Sequence, residues 1–553
     1  MHRTPEPLAP RWLVWALLLL GAMLLRLGAA PLLDVDEGAF GEASREMLAG
    51  GDWSRTTLNG EPRWDKPILI YWLQAGAMAL LGQQEFALRL PSVLAAWGWV
   101  LATVMFARPR WGDAAALGAG AVLASGLGVA LIGRAATADA LLNLWLALAG
   151  LDLWRHLEAA PGSAAARQAL RRTALWIGLG LLTKGPIALI VPGAAALVFV
   201  ALHRGPVPTG TRLRGLLGDG AAWALMLAVA LPWYALMLVQ HGQAFIDGFL
   251  VRHNLSRYQG TLEGHGGSLG YYLLVLPLLM LPWAPLLVQL LRRARALWRE
   301  PLAGYLLGWA GFVIVFFSLS GTKLPHYALY GLTPLALLTG RLLAAEAPGE
   351  ALPGALLRLQ QALLMLLAPL LAGATLALQA RAEHIADPLY RTLLAAPTPE
   401  PGPLAAGALL AAAAAALCLT GARGRLSETA RLSAAALCGL LWIHGQLSPW
   451  WSERLQGPVR DLARQAQLQP GAPAAVQWGL HLPSFAFHLD RQAPRRAPRP
   501  GELALVRADQ LARLTEEAGL AAPVRLAERN GLVLVLVLVL VQVRMPTEGD
   551  APR

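Results

Sequence analysis

Lysine is nearly absent from this sequence of 553 residues, although lysine and arginine together number 46. The three lysines, Lys66, Lys184 and Lys323, each lie in a short polar segment beside a long apolar run. Arginine is therefore the default cation of the chain. Because an ammonium group is a compact, strongly hydrated point charge that suits a phosphate, three lysines predicted at one membrane face indicate an anion site.

Charged residues are also scarce, at 14% of the sequence, whereas 56% of the residues are hydrophobic and the mean hydropathy is +0.48. Ordinary globular domains carry about 25% charged residues, so the composition indicates a membrane protein. Leu- and Ala-rich runs of about 20 residues predict helices rather than a barrel. The net charge of +12 requires no nucleic-acid partner, because most arginines flank apolar runs as orientation signals do.

Cysteine occurs only twice, and Cys418 and Cys438 both lie in apolar runs. A disulfide framework or a zinc–thiolate site is therefore not expected. The sequence also has no evident internal repeat, which weakens an inverted-repeat transporter as an interpretation. The first apolar run is not followed by a small-residue cleavage site, so we expect it to remain as a helix.

Thirteen apolar runs fit membrane spans and predict an all-α polytopic protein. They cover about 12–30, 86–107, 114–132, 137–155, 172–183, 185–202, 220–240, 269–291, 303–320, 325–343, 356–378, 403–421 and 432–447. Arginines gather in alternate connections, which are cytoplasmic by the positive-inside rule. The other connections, among them 31–85 and 241–268, then face the periplasm from a bacterial inner membrane. The predicted domains are a membrane domain, residues 1–447, and a periplasmic tail, residues 448–553.

Three segments outside the spans have their own predicted structure. Residues 36–48 read as a short helix with acids in its first turn. Residues 67–81 are apolar but flanked by charge, which is typical of a helix lying at the membrane interface. Leucine and valine alternate from Leu532 to Val541, a run too short to span as a helix. This run predicts a buried strand in a small α/β tail domain.

Charged and polar residues from distant outer segments are predicted to gather at one membrane face. They include Asp36, Glu37, Arg45, Asp65, Lys66, Asp139, Lys184, His253, Arg257, His265, Lys323 and Tyr327. Charges near membrane depth are costly and usually functional. Cations suit a phosphate, and carboxylates suit taking a proton from a nucleophile. Because cations also stabilise a departing phosphate, the mixture predicts group transfer from a lipid-linked phosphate.

Several motifs within residues 10–345 resemble the aminoarabinose lipid A transferase family. They are Leu33-Asp34-Val35-Asp36-Glu37-Gly38-Ala39-Phe40, Asp65-Lys66-Pro67, Leu182-Thr183-Lys184-Gly185-Pro186, His253-Asn254-Leu255-Ser256-Arg257-Tyr258 and Ser320-Gly321-Thr322-Lys323-Leu324-Pro325-His326-Tyr327. That family is related to the protein O-mannosyltransferases and shares the GT-C glycosyltransferase fold. The resemblance implies transfer of a sugar from a polyprenyl-phosphate carrier to lipid A or another envelope lipid or glycan.

The resemblance also implies roles for single residues. Asp36 matches the catalytic aspartate, which would deprotonate the acceptor, and Asp139 matches a second acid of the cavity. The carrier phosphate would be held by Lys66, Arg257 and Tyr327, with Lys323 added from the same motif. Asp65 and His253 match a pair that can bind a divalent metal such as zinc, and no organic cofactor is expected. Supporting roles are expected for Glu37, Arg45, Lys184 and His265.

Departures from the family pattern leave the sugar and the acceptor open. Asp65 stands where glutamate is frequent, Phe40 where tyrosine is frequent, and Arg252 where an acid can stand. A protein O-glycosyltransferase is the alternative within the same class. From other classes, a lipid-linked sugar transporter or flippase should carry charges near the bilayer midplane, and a non-catalytic envelope scaffold would not need the charged outer set.

Overall fold

The computed structural model describes residues 10–203, 208–256, 258, 260, 266–345, 352–421, 424–517 and 523–537. The chain divides into two compact units. The first comprises Met1–Ala30, Ala43–Leu376 and Glu400–Trp451, and the second comprises Pro31–Glu42, Ala377–Pro399 and Ser452–Arg553. The second unit thus combines the tail with two earlier segments. The predicted periplasmic side of the tail stays a prediction.

Helices build nearly all of the first unit. In chain order they are α1 (Pro10–Leu24), α2 (Asp36–Gly50, which starts in the second unit), α3 (Leu69–Leu81), α4 (Glu85–Ser125), α5 (Leu127–Ile132), α6 (Asp139–Glu158), α7 (Ala164–Lys184), α8 (Ile187–Leu202), α9 (Thr209–Leu217), α10 (Gly220–His241), α11 (Gln243–Phe245), α12 (Tyr271–Leu279), α13 (Ala284–Leu297), α14 (Pro301–Leu319), α15 (Leu332–Leu343), α16 (Gly354–Ala380), α18 (Gly402–Gly421) and α19 (Glu428–Trp442). A two-stranded hairpin, β1 (Thr57–Leu58) and β2 (Glu61–Pro62), follows α2. Helix α4 packs on α6, α15 and α19, and α7 packs on α6 and α10.

Five of the described helices are long and apolar enough to cross a membrane: α4, α10, α14, α16 and α18. The chain is a multi-pass membrane protein, as its composition predicts. The short helix predicted at residues 36–48 is confirmed as α2, and a helix is confirmed within residues 67–81 as α3. The interfacial position of α3 stays a prediction.

Glycine and proline positions decide where apolar runs break. The predicted spans 86–107 and 114–132 are separated at Gly112, where φ is +80°, so that α4 consists of two helical segments that meet at a kink. Glycine adopts this left-handed conformation without a Cβ clash. The second span continues beyond the end of α4 into α5. The single span predicted at 269–291 is two helices, α12 and α13, with Pro282 between them. Proline supplies no backbone N–H for a continuing helix, which accounts for this break.

The predicted outer connection 241–268 is helical over its first part. After α11, residues Ile246–Ser256 continue as a π-helix. Phe245 and Phe249 are buried, and their rings stack with centroids 5.4 Å apart. Burying these two rings accounts for helical structure in a segment that its polar residues favour as a loop.

The second unit contains a four-stranded sheet flanked by helices. Its elements are α17 (Pro388–Ala395), α20 (Ser448–Gln467, which starts in the first unit), β3 (Ala475–Gln477), α21 (Pro483–Leu489), β4 (Leu503–Arg507), α22 (Leu511–Glu517), β5 (Val524–Arg529) and β6 (Leu532–Leu536). The strand order is β3-β4-β6-β5, with β3 parallel to β4 and the other pairs antiparallel.

Strand β6 is buried on both faces. Leu532 and Leu534 pack with α20 and α21 on one side, and Val533 and Val535 pack with α22 on the other. Since successive side chains of a strand point to opposite faces, an alternating Leu-Val run fills both. The predicted buried strand is confirmed over Leu532–Leu536, and residues 538–541 lie outside the described chain.

Candidate active site

A cavity of about 430 Å³ lies within the first unit. Its polar side chains are Asp65, Lys66, Lys184, His253, Tyr258, Ser320, Tyr327 and Tyr330. Its apolar lining is Pro186, Ile187, Ile190, Leu250, Leu255, Phe316 and Phe317. A ligand with a charged head and an apolar chain fits such a lining, because each part meets groups of its own kind.

A helical hairpin brings Asp139 and Lys184 together. Asp139 is the first residue of α6 and Lys184 the last of α7, and these two helices pack side by side. The negative group thus lies at a helix N-terminus and the positive group at a helix C-terminus, as the helix dipole favours. Lys184 Nζ donates to Asp139 Oδ1 at 2.5 Å, and His326 Nε2 lies 3.7 Å from the same oxygen.

Two tyrosines lie beside this ion pair. Residues Pro325–Gly331 form a 3₁₀ helix, in which positions three apart share a face. Tyr327 and Tyr330 are such a pair, and their ring centroids are 6.0 Å apart. Lys184 Nζ lies 5.8 Å and 5.7 Å from the two centroids, within the range of cation–π attraction.

Asp65 forms a second charged cluster at the cavity. Its carboxylate accepts from Lys66 Nζ at 2.6 Å and from Arg63 Nη2 at 3.0 Å, and His253 Nδ1 lies 3.3 Å away. Burial acts to raise the pKa of Asp65, but the positive charges of Lys66 and Arg63 outweigh it and hold that pKa below its usual range. Asp65 is therefore ionised at neutral pH and fixes the direction of the Lys66 ammonium group.

The pair predicted for a metal, Asp65 and His253, lies close enough to share one ion. The carboxylate, however, is already bonded to two permanent cations, which would repel a divalent ion. Among the residues that the structure describes, no group of three or more His, Cys, Asp or Glu side chains could hold a metal. The described residues around Asp65 therefore do not fit a resident metal.

Four other predicted site residues do not belong to the lining of this cavity. Asp36, which is exposed, and Glu37, which is buried, begin α2 in the second unit. Arg45 is buried further along α2. Lys323 Nζ donates to the carbonyl oxygen of Ser320, which lines the cavity, at 2.5 Å.

Two predicted residues, Arg257 and His265, lie outside the described chain. The structure thus brings Asp65, Lys66, Asp139, Lys184, His253 and Tyr327 together, and the roles of all twelve residues stay predictions.

Sequence reasoning missed two groups at this cavity. Arg63 lies two positions before Asp65 and bonds to it, and Tyr330 lies one 3₁₀ turn after Tyr327. Both could have been found from their spacing in the sequence, since Arg63 is two positions from Asp65 and Tyr330 is three positions from Tyr327. It also missed Arg89, a buried residue whose guanidinium donates to the carbonyl oxygens of Leu27 and Ala30 at 3.0 Å and 2.7 Å. Arg89 ties α4 to the chain just before the first outer segment.

Comparisons with known proteins agree with this architecture. Residues 13–241 match the family model of dolichyl-phosphate-mannose-protein mannosyltransferases. The chain is 35% identical over 366 residues to an undecaprenyl phosphate-α-4-amino-4-deoxy-L-arabinose arabinosyl transferase of Pseudomonas paraeruginosa, a match that spans 64% of each protein. The undecaprenyl phosphate-α-4-amino-4-deoxy-L-arabinose arabinosyl transferase 2 of Sodalis glossinidius is 34% identical over 336 residues, or 60% of this chain and 58% of that protein.

The crystal structure of ArnT from Cupriavidus metallidurans bound to undecaprenyl phosphate superimposes with a TM-score of 0.77 and 23% identity. That match covers 96% of this chain and 99% of the other. The apo state of the same protein gives a TM-score of 0.75 at 22% identity, covering 95% and 97% of the two chains. The GT-C fold with a small tail sheet, and the resemblance to aminoarabinose lipid A transferases, are confirmed.

Proposed function

We propose that this chain is an integral-membrane glycosyltransferase that moves a sugar from a polyprenyl-phosphate carrier to lipid A or another envelope lipid or glycan. The observation that carries the proposal is the two-part cavity of the first unit. Lys66 and Lys184 lie in its lining together with Ile187, Ile190 and Leu250. A polyprenyl phosphate joins an anionic head to an apolar chain, and it matches both parts. The names of the related arabinosyl transferases support the same carrier class.

The reaction is an in-line displacement at the anomeric carbon of the sugar. Asp36 takes the proton of an acceptor hydroxyl or phosphate group, and the acceptor oxygen forms a bond to that carbon as the bond from carbon to carrier phosphate breaks. The configuration of the carbon inverts. The phosphate leaves with the electron pair, and cations held ready by carboxylates, Lys66 on Asp65 and Lys184 on Asp139, stabilise its charge. Arg257 and Tyr327 complete the phosphate site.

The protein is proposed to lie in a bacterial inner membrane with the reaction on the periplasmic side. The alternation of arginine-rich and arginine-poor connections supports this orientation. The partners are then the lipid-linked donor, the acceptor and the surrounding membrane lipids.

The carrier pool of the cell gives the direct test of transfer. We expect cells with Asp36→Asn to accumulate a sugar-modified polyprenyl phosphate relative to wild type, and mass spectrometry of the extracted lipids would identify the sugar by its mass. Asp113→Asn is the matched control, since this acid pairs with Arg108 outside the proposed site. An unchanged carrier pool, with the D36N protein folded in the membrane, would overturn transfer by Asp36 and favour a transporter. New glycopeptides in place of a modified lipid would identify a protein acceptor.

Binding of the carrier tests the cavity separately. We expect Lys66→Ala to weaken binding of undecaprenyl phosphate to the purified protein by roughly tenfold or more, because a charge-assisted bond to phosphate is lost. Arg55→Ala is the control, since its side chain is 46% exposed and pairs with Asp52. Equal affinity of the K66A and wild-type proteins would exclude Lys66 from the phosphate site.

A further inference from the structure

Asp34 lies two positions before Asp36 and forms hydrogen bonds with residues of two different helices of the tail. Its Oδ1 accepts from the backbone N–H of Ser484 at 2.9 Å, and its Oδ2 accepts from the Ser484 hydroxyl. With its amide oriented to satisfy both bonds, Gln456 donates to Asp34 Oδ2 at 3.1 Å and accepts from the Asp34 N–H at 3.3 Å. Ser484 begins α21 and Gln456 lies in α20, and both are buried.

Gly38 is part of the same arrangement. A Cβ atom at Gly38 would lie 2.0 Å from Asp34 Oδ1 and 2.5 Å from the Ser484 nitrogen, so only glycine permits this approach. A local hydrogen bond also stabilises this turn, since Glu37 Oε2 accepts from the backbone N–H of Leu33 at 2.9 Å. The first turn of α2 is thus fixed both within itself and against the tail. We call the contacts of Asp34 with Gly38, Gln456 and Ser484 the Asp34 clamp.

We propose that Asp34 is a positioning residue, which acts through the Asp34 clamp to hold the first turn of α2, and with it Asp36, on the tail domain. The clamped residues Pro31–Glu42 belong to the same compact unit as the tail. Asp36 is exposed at the start of α2 and reaches outwards from this turn. A general base must stay within hydrogen-bond reach of the proton that it removes, and displacement by about 1 Å can cost about 100-fold in rate.

The chemistry of the clamp predicts which substitutions it tolerates. Three donors face the Asp34 carboxylate: the Ser484 N–H, the Ser484 hydroxyl and the Gln456 amide. Asparagine keeps one acceptor oxygen for the Ser484 N–H, and its amino group can donate to the hydroxyl oxygen, which also accepts. Alanine keeps neither. If Asp34 acts through its hydrogen bonds, Asp34→Asn should lose less activity than Asp34→Ala. If its charge itself is required, the two variants should lose the same activity.

The test rests on the proposed function and uses the full-length protein in detergent or liposomes, with the lipid-linked sugar identified by the carrier experiment. We expect D34A to lower kcat by roughly tenfold or more with KM for the carrier within about twofold, because the base moves while the phosphate site stays intact. D34N should keep kcat within about threefold of wild type. Ser484→Ala, which removes the hydroxyl and keeps the N–H, should fall between them. Glu502→Gln is the control, a carboxylate of the same unit held by Arg496.

Hydrogen exchange of the amides of residues 33–40 tests the clamp without any activity. We expect these amides to exchange faster in D34A than in wild type and D34N, with thermal unfolding checking that each variant is folded. Unchanged kcat and unchanged exchange in D34A would overturn the proposal, as would equal loss of kcat in D34N and D34A. If D34A does not fold, S484A decides by the same two readouts. Absence of any transfer by wild type would overturn the proposed function alone, since the exchange result still tests the clamp.

Discussion

Each lysine of this chain is held by a neighbouring oxygen. Lys66 bonds to Asp65, Lys184 to Asp139, and Lys323 to the carbonyl oxygen of Ser320. A lysine side chain is otherwise flexible, and ordering it on binding a ligand costs conformational entropy. Asp65 and Asp139 thus hold two ammonium groups in place, which would lower the entropic cost of binding the proposed phosphate. The rarity of lysine in the sequence pointed to these positions, but it did not show that carboxylates orient them.

Breaking the Lys184–Asp139 pair should destabilise the protein more than removing both charges. Their side chains are only 9% and 10% exposed. We expect Lys184→Met to cost about 3–5 kcal/mol, because a buried carboxylate loses its main partner, and Lys184→Met with Asp139→Asn to recover most of that loss. Thermal unfolding of the purified variants measures this. Arg55→Met, at an exposed pair with Asp52, is the control and should cost about 0–1 kcal/mol. A double variant as unstable as Lys184→Met would contradict this account.

Asp34 should make stability depend on pH near neutrality. Burial raises its pKa from 3.8 to about 7, against the opposing hydrogen bonds from Ser484. The folded state then keeps a proton that the unfolded chain releases between these two pH values, so the stability contributed by protonated Asp34 is present below pH 3.8 and is lost as pH rises to about 7. We expect the thermal midpoint of wild type, relative to Asp34→Asn, to fall from pH 4 to pH 7 and then to level off. Parallel midpoints across this range would exclude the shift.

Local spacing accounts for some of the predicted site residues that the structure brings together. Asp139 and Lys184 lie at helix ends that a hairpin brings together, and such ends follow from the lengths of the apolar runs. The partners of Asp34 could not be predicted in this way. Ser484 is 450 positions away, and no periodicity links the first outer segment with the start of a seven-residue helix in the tail.

Helix positions follow from length and hydropathy, and two interruptions follow from residue type, whereas the π-helix depends on packing. The break at Gly112 and the division at Pro282 occur at residues known to end helices. The π-helix Ile246–Ser256 did not follow from pattern, because its stability depends on Phe245 and Phe249 meeting aromatic side chains of α10, among them Tyr234. An extra residue per turn has no signature in a hydrophobic pattern of period 3.6.

Helices α4 and α15 approach each other at backbone distance. A Cβ at Gly340 would lie 2.4 Å from the backbone nitrogen of Ala119 and 2.7 Å from the carbonyl oxygen of Ala115. We expect Gly340→Ala to cost about 1–3 kcal/mol, since neither backbone can yield without moving a helix. Gly311→Ala on α14 is the control, with no atom within 4 Å of the added Cβ, and should not destabilise. Equal thermal midpoints for the two variants would show that the helices separate at little cost.

The two units have separate cores and should unfold in separable steps. One tail core contains Leu505, which is fully buried in β4, and Gly340 lies in the helix bundle. Two-state unfolding holds mainly for single small domains, so calorimetry of the whole protein should show more than one transition. We expect Leu505→Ala to lower one transition by about 2–5 kcal/mol and Gly340→Ala to lower the other. A single transition that both variants shift equally would mean that the units unfold as one.

The Asp34 clamp imposes an order on synthesis. Asp34 leaves the ribosome 450 residues before Ser484, which at about 5–20 residues per second is a delay of about 20–90 s. Throughout this interval the nascent chain carries Asp36 without the clamp that fixes its turn. The sheet that completes the tail also waits for β6, which pairs with β4 on one edge and β5 on the other. Under the proposed function, a chain still being made would complete the helices of the proposed phosphate site before the clamp positions Asp36.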